Sequence, residues 1–172
     1  MIRNESAGAA RRDHDLDAID VQILDAMQDD ARQSRAEVAR QVGLSAAAVH
    51  ERIHKLERAG VIRCYAALLD PEQTRCDLLA FVEVFIDRSK RESGFLQAIG
   101  KMPQVQECHR VTGAATCLLK VRVHDRHALH KLILDRINAM PGVRGTETVV
   151  VLSTTKETPR LDLAGAEADQ GE

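Results

Sequence analysis

The sequence predicts an α+β protein: an N-terminal winged-type helix-turn-helix domain of three helices, a strand linker, and a C-terminal ferredoxin-like βαββαβ sandwich. Three observations predict it. Apolar residues recur at helical spacing as far as Leu56, the period switches to two from about Leu79, and a strand–helix–strand pattern then runs twice. At 172 residues, with 44% hydrophobic and 29% charged side chains, the chain carries the apolar content of one or two small globular domains.

Residues 1–14 mix Gly, Ala, Ser and charge without a period and read as a flexible arm. The helix-turn-helix domain is expected over 15–62. Leu16, Ile19, Ile23 and Met27 mark its first, amphipathic helix, with Asp17 as the cap and Asp20 three positions on. Ser34 and Glu37 have capping-box spacing, so each side chain can satisfy a backbone donor at the other's position. Val42-Gly43-Leu44 ends the second helix, because glycine takes a left-handed backbone without steric cost, and Ser45 caps the third. Two short helices separated by a tight turn are the DNA-reading device of many regulators.

On the third helix Val49, Ile53 and Leu56 fall at i, i+4 and i+7 and form one buried stripe, leaving the opposite face open. The candidates for base or groove contact are Ser45, Ala46, Ala47, His50 and His54, the small alanines permitting close approach. Arg35, Arg52, Lys55 and Arg58 are the candidates for phosphate anchoring. Arg52 lies nearer the buried stripe, where pairing with an acid is the alternative.

A strand linker is expected over 63–76; the stretch from Val61 to Leu69 reads as its extended strand, closed by the turn signal Asp70-Pro71. The second domain, 77–155, opens with an apolar strand over 79–86. A helix marked by Phe95, Ala98, Ile99 and Met102 follows, stopped by Pro103, then an alternating strand over 105–111. In the repeat of the pattern, Cys117, Leu119, Val121 and Val123 alternate with Leu118, Lys120 and Arg122. Leu129, Leu132, Ile133, Ile137 and Met140 give a helix ended by Pro141-Gly142, and a fourth strand covers 148–152. Two helices would cover one face of the sheet and leave the other showing Leu, Val, Phe and Cys to water. A second copy packing face to face with C₂ symmetry is the economical cover. Residues 156–172 turn small and polar and read as a flexible tail.

Charge and composition exclude several classes. The net charge of −2 argues against indiscriminate nucleic-acid binding. Charge is nevertheless unevenly spread: between Asp13 and Asp30 all charged residues except one histidine are acidic, while Arg32, Arg35, Arg40, Arg52, Lys55, Arg58 and Arg63 outnumber Glu37, Glu51 and Glu57. Such a layout attracts phosphate to one surface and orients the encounter. With neither a charged start followed by an apolar run nor an apolar stretch of membrane-spanning length, the chain reads as cytoplasmic with no membrane partner. Cys64, Cys76, Cys108 and Cys117 form no C-x-x-C pair and read as small packing residues.

His124, His127 and His130 are spaced i, i+3, i+6, which spreads them over a wide arc without an acidic or cysteine partner, so neither a metal nor a cofactor is expected. His50 and His54, at i and i+4, have chelating spacing, but on this helix hydrogen bonds to DNA are the reading. Adjacent strand residues Cys108 and His109 point to opposite faces and cannot act as a nucleophile pair. No phosphate loop or catalytic triad spacing is present, so catalysis is not expected.

With both halves in view, the chain resembles the Lrp/AsnC family of bacterial regulators, also called feast/famine proteins, over roughly residues 15 to 157. The matching stretches are Leu16-Asp17-Ala18-Ile19-Asp20, Gly43-Leu44-Ser45, Arg52-Ile53-His54-Lys55-Leu56-Glu57-Arg58-Ala59-Gly60-Val61-Ile62, Gln106-Glu107-Cys108-His109-Arg110-Val111-Thr112-Gly113 and Met140-Pro141-Gly142-Val143. The resemblance implies a sequence-specific transcriptional regulator with three partners: double-stranded DNA, a small-molecule effector such as an amino acid or a relative, and further copies of itself. Dimers assembling into larger, often octameric, particles are implied too. It places the effector near Thr112 and Gly113, with Ala114 and Thr116 beside them. Here the chain departs from the family's Gly-Asp-Tyr-Asp-Tyr style, carrying Ala114, Ala115, Thr116 and Cys117. An α-amino group loses charge-assisted hydrogen bonds of about 1.5–3 kcal/mol each. A less cationic metabolite, a weakly held one and a role in assembly alone stay open.

Two rivals come from other classes. Some proteins resembling this family are enzymes that decarboxylate a siroheme-type tetrapyrrole, and His109 with the helix histidines keeps that alternative open. The βαββαβ order is also an RNA-recognition fold, but such modules stack bases on sheet aromatics, and the 117–123 strand has none.

Overall fold

A computed structural model describes residues 15–87 and 92–165; the arm expected over 1–14 lies outside them. The described residues form two compact units, 15–67 together with 158–165, and 68–157.

The first unit is built from α1 (Ala18–Asp29), α2 (Arg35–Val42) and α3 (Ala46–Arg58). Each start carries the predicted cap. Asp17 accepts from the Asp20 N–H at 2.7 Å, and Ser34 and Glu37 close a reciprocal box at 3.2 and 2.7 Å. Gly43 ends α2 at φ 70°, in the left-handed region that a side chain would strain, and lets the Leu44 N–H reach back to the Ala39 carbonyl at 3.0 Å. Ile23, Val38, Val49, Ile53 and Leu56 are buried at the centre of the three helices. Each such side chain contributes about 1.5–3 kcal/mol through removal from water.

Two expectations for this unit are corrected. The linker carries no sheet pairing among the described residues: 61–69 has neither helix nor ladder, and Tyr65, Leu68 and Leu69 are exposed. Its apolar run suited a strand, but a strand needs a neighbour to satisfy its backbone. Of the flexible tail expected over 156–172, residues 166–172 lie outside the described residues, and the part around 160–163 is instead held. The Gln28 amide brackets the Leu161 backbone at 3.1 and 2.7 Å, Arg160 pairs with Asp25 at 3.1 Å and with Asp29, and Leu163 packs on the helical core. Its small polar residues hide this, because the partners lie more than 130 positions away. Deleting 158–172 is therefore expected to lower the stability of the helical unit by about 1–2 kcal/mol in urea unfolding; an unchanged midpoint would show that the docked tail contributes nothing.

The second unit runs β1 (Leu78–Ile86), α4 (Glu92–Ile99), β2 (Val105–Arg110), β3 (Cys117–Val123), α5 (Arg126–Lys131) and β4 (Val143–Val150). The strands pair antiparallel in the order β2-β3-β1-β4, the ferredoxin-like arrangement. β1 lies between β3 and β4, so Val82 faces Leu119 on one side and Thr148 on the other. Ala80, Val82, Val84 and Ile86 of β1 pack with Leu119 and Val121 of β3 beneath Phe95, Ile99, Leu132 and Ile137. α5 continues as a π-helical turn over Leu132–Ile137, closed by the Asn138 N–H on the Ile133 carbonyl at 2.8 Å. The wider turn keeps Leu129, Leu132 and Ile137 on the core side.

β4 begins at Val143, five residues before the expected start, because β1 supplies a partner for residues such as Thr146 and Glu147 whose polarity concealed the strand. The open sheet face is also more polar than expected. Phe81, Phe85, Leu118 and Val149 share it with Glu83, Lys120, Arg122, Glu107 and His109, following the register Phe81↔Lys120, Phe81↔Val149 and Leu118↔His109. Glu157 reaches Lys120 at 2.5 Å and Arg122 at 2.6 Å. The ammonium of Lys120 holds the Glu157 carboxyl below its ordinary range against the opposing push of burial, with Arg122 adding to the effect. Cysteines divide likewise: Cys117 is buried, Cys108 half-buried, and Cys64 exposed rather than packed. The neighbouring Cys117 thiol and burial both push Cys108 upward, which makes it a poor nucleophile.

Candidate functional site

The exposed side of α3 brings the sequence-predicted contact residues together. Ser45, Ala46, Ala47, His50, His54, Lys55 and Arg58 are all exposed. The Ser45 hydroxyl accepts from the Ala48 N–H at 3.1 Å, so it starts the helix as well as lying at its tip. The His50 and His54 rings meet edge to face with centroids 4.3 Å apart. His54 Nδ1 lies 3.0 Å from a Glu57 carboxylate oxygen, and the Tyr65 hydroxyl donates to the other at 2.8 Å. That hydroxyl holds the Glu57 carboxyl low against the upward push of burial, with His54 assisting. Glu57 is thus engaged inside the unit, while Lys55 and Arg58 in the last turn complement the helix dipole.

Arg52 takes the acid alternative. Its Nη1 lies 2.7 Å from Asp17 and 2.7 Å from Asp20, locking α3 to the start of α1. Asp20 is the one buried charged residue among those described. A guanidinium so held is a clamp between helices. Arg35 is half-buried, with its guanidinium 3.7 Å from the Met27 sulfur.

A second site lies wholly within the sheet unit. Thr112, Gly113, Ala114 and Thr116 line one cleft of roughly 870 Å³. Gly113 sits at φ 117°, a backbone open to glycine and strained for other residues, and this turns the loop between β2 and β3. The Thr116 hydroxyl is committed to the β1 backbone, accepting from the Ile86 N–H at 3.1 Å. Sequence reasoning missed three charged residues of this cleft: Asp87 after β1, Arg110 at the end of β2 and Arg144 at the start of β4. Each is an ordinary exposed charge in its own segment, and only the antiparallel order of the strands gathers them.

The histidines of the second half do not converge. His124 Nδ1 lies 2.6 Å from the Arg75 carbonyl and 3.5 Å from the Cys76 sulfur, and His109 pairs with Glu107 at 3.1 Å. Among the described residues no three His, Cys, Asp or Glu side chains group for a metal ion, and no helix is long and apolar enough to cross a membrane.

Comparison with known proteins matches the helical and the sheet portions of the chain. The AsnC-type helix-turn-helix domain matches residues 16–57 and the Lrp/AsnC ligand binding domain matches residues 79–161. The leucine-responsive regulatory protein of Serratia marcescens is 41% identical over 156 residues, 90% of this chain and 95% of that one. Among solved structures, a transcriptional regulator of Neisseria meningitidis in complex with L-methionine superposes with a TM-score of 0.83 at 34% identity, covering 87% of this chain and 98% of that one. A feast or famine regulatory protein of Mycobacterium tuberculosis, also complexed with L-methionine, gives 0.78 at 30% identity over 85% and 98%.

Proposed function

The chain belongs to the Lrp/AsnC family, and from that premise we propose that α3 reads a roughly palindromic DNA site while the cleft at 112–116 takes the small metabolite that controls it. It is a DNA-binding transcriptional regulator. Ser45, Ala46, Ala47, His50 and His54 meet the groove, and Lys55 and Arg58 meet phosphates, with Arg35 at the margin. Arg52 is better assigned to the Asp17–Asp20 clamp. The observation that carries this reading is the run of exposed residues from Ser45 to Arg58, opposite a stripe of Val49, Ile53 and Leu56 that is at most 1% exposed. Two such helices related by a dimer axis would enter successive major grooves about 34 Å apart.

Selection of bound fragments from the host genome, with and without candidate metabolites, tests both parts. Enrichment of a shared motif that changes with metabolite is expected; binding indifferent to sequence at moderate salt would overturn it. Arg58→Ala should weaken all sequences alike and lower the salt slope by about one, whereas loss confined to one base position would reassign Arg58 to base reading. A tetrapyrrole decarboxylase built on this fold would purify coloured; a colourless protein is the expected result.

The effector reading draws on the ligand binding domain match and the two L-methionine complexes. Homo-oligomerisation is part of the same proposal. Val149, 64% exposed beside Phe81 on the open sheet face, favours a second copy there. Val149→Asp should shift the particle to lower mass in analytical ultracentrifugation, and an unchanged mass would place the contact elsewhere.

A further inference from the structure

We propose that Glu57 and Tyr65 are positioning residues for DNA reading: they fix His54 as a hydrogen-bond acceptor, so that α3 selects adenine or cytosine at the position this ring meets. This rests on the reading of α3 as the groove-facing helix and assigns a base class to one of its residues. The geometry is a relay of three side chains. The Tyr65 hydroxyl, from the stretch that follows α3, donates to one Glu57 oxygen at 2.8 Å, and the other oxygen lies 3.0 Å from His54 Nδ1. The same hydroxyl holds the Glu57 carboxyl below its ordinary range against the upward push of burial, with His54 and Arg35 of α2 adding to the effect. A carboxylate so held can only accept, and the nitrogen that faces it therefore carries the hydrogen.

In a neutral imidazole this leaves the lone pair on Nε2, at the far edge of the ring. The His54 side chain is 48% exposed, and His50, one turn earlier, braces the ring edge to face. The consequence is a choice among bases. In the major groove adenine offers its N6 amine and cytosine its N4 amine, whereas guanine, through N7 and O6, and thymine, through O4, only accept. An Nε2 lone pair bonds the first two and meets the others acceptor against acceptor. The opposite tautomer would choose the other way, so Glu57 sets the base class without touching DNA.

The test is selection from a randomised duplex library with the full chain at pH 8.5, where imidazoles are neutral. His54→Ala identifies the position, because preference should vanish there and at its mate in the other half-site. At that position the unsubstituted chain should favour adenine or cytosine over guanine and thymine by about fivefold or more. Glu57→Gln should bring the four bases within about twofold, or turn the preference toward guanine and thymine, because an amide can present its N–H to Nδ1 and reverse the tautomer. Tyr65→Phe should shrink the preference by freeing the carboxylate; an unchanged preference removes Tyr65 from the relay. A merely structural role for Glu57 would weaken all sequences alike and leave the base profile as it was. Thermal melts check folding, and if Glu57→Gln fails to fold, Glu57→Ser takes its place with the bases again expected within about twofold. A guanine or thymine preference at the His54 position, or a profile that the Glu57 substitution leaves unchanged, overturns the proposal. So does a His54→Ala profile equal to that of the unsubstituted chain, which still keeps α3 as the reading helix if a motif is selected. Selection of no motif at all removes both readings.

Discussion

Arg52→Ala is expected to lower the stability of the helix-turn-helix unit by about 2–4 kcal/mol, the lower part of the range for breaking a buried pair, since the guanidinium keeps some solvent contact. The reason is Asp20. Its carboxylate is 2% exposed, and Arg52 binds it and Asp17 at 2.7 Å each. Removing the guanidinium leaves a charge inside the fold facing the place its counter-ion held, and it frees α3 from the start of α1. Arg52→Lys should recover only part of the loss, because a single ammonium does not span two carboxylates as the planar fork does. Urea unfolding followed at helical wavelengths reads both. DNA affinity should fall only in proportion to the unfolded fraction. A folded Arg52→Ala protein whose salt slope drops by about one would instead return Arg52 to the phosphate contacts.

The same clamp sets a pH dependence. Burial pushes the Asp17 carboxyl upward, but the Asp20 N–H and the Arg52 guanidinium outweigh it and hold Asp17 below its ordinary value. A carboxyl lowered in the folded state adds stability that is fully present above its unfolded pKa and is lost as pH falls through the folded one. The helical unit should therefore weaken on the acid side of the ordinary carboxylate range, and Arg52→Ala should flatten that slope. Identical acid profiles for the two proteins would show that the clamp has no ionic component.

Leu56→Ala is expected to cost about 2–5 kcal/mol, which is most of the stability a unit this small can hold. Leu56 is 0% exposed, packed with Ile23, Val38, Val49 and Ile53, and its carbonyl also accepts the N–H groups of Val61 and Ile62 at 2.9 and 3.2 Å. The chain divides into two compact units, so the damage should stay in one. Hydrogen exchange should become fast in α1 to α3 while amides of β1 and β3 keep their protection, and DNA binding should vanish while effector binding survives. Leu119→Ala, at an equally buried site of the sheet, should give the mirror outcome. Simultaneous loss of protection in both units after either substitution would mean that they fold as one.

Much of the fold was legible because it is local. Capping pairs three residues apart, the turn at Gly43, the stripe of Val49, Ile53 and Leu56, and the alternation of β3 each involve neighbours within a few positions. The exposed contact residues of α3 were equally legible, since helical geometry places them once the buried stripe is known. Less legible were elements whose stability depends on distant partners. The polar start of β4 needs β1, the docked stretch at Leu161 needs Gln28, and Arg52 declared its acid partners only when α1 and α3 met.

The sequence by itself determined that a helix-turn-helix precedes a βαββαβ domain, which helix turns its polar side outward, and which family the chain resembles. Tertiary structure alone decided that Arg52 is a clamp and that residues near 160 pack on α1, and it alone gathered Asp87, Arg110 and Arg144 from three strand ends around Gly113. The division has one physical cause. Backbone geometry and capping act over a turn or a pleat and are written in adjacent residues, whereas charge pairing and cleft composition act through space and exist only once the chain has closed its long loops.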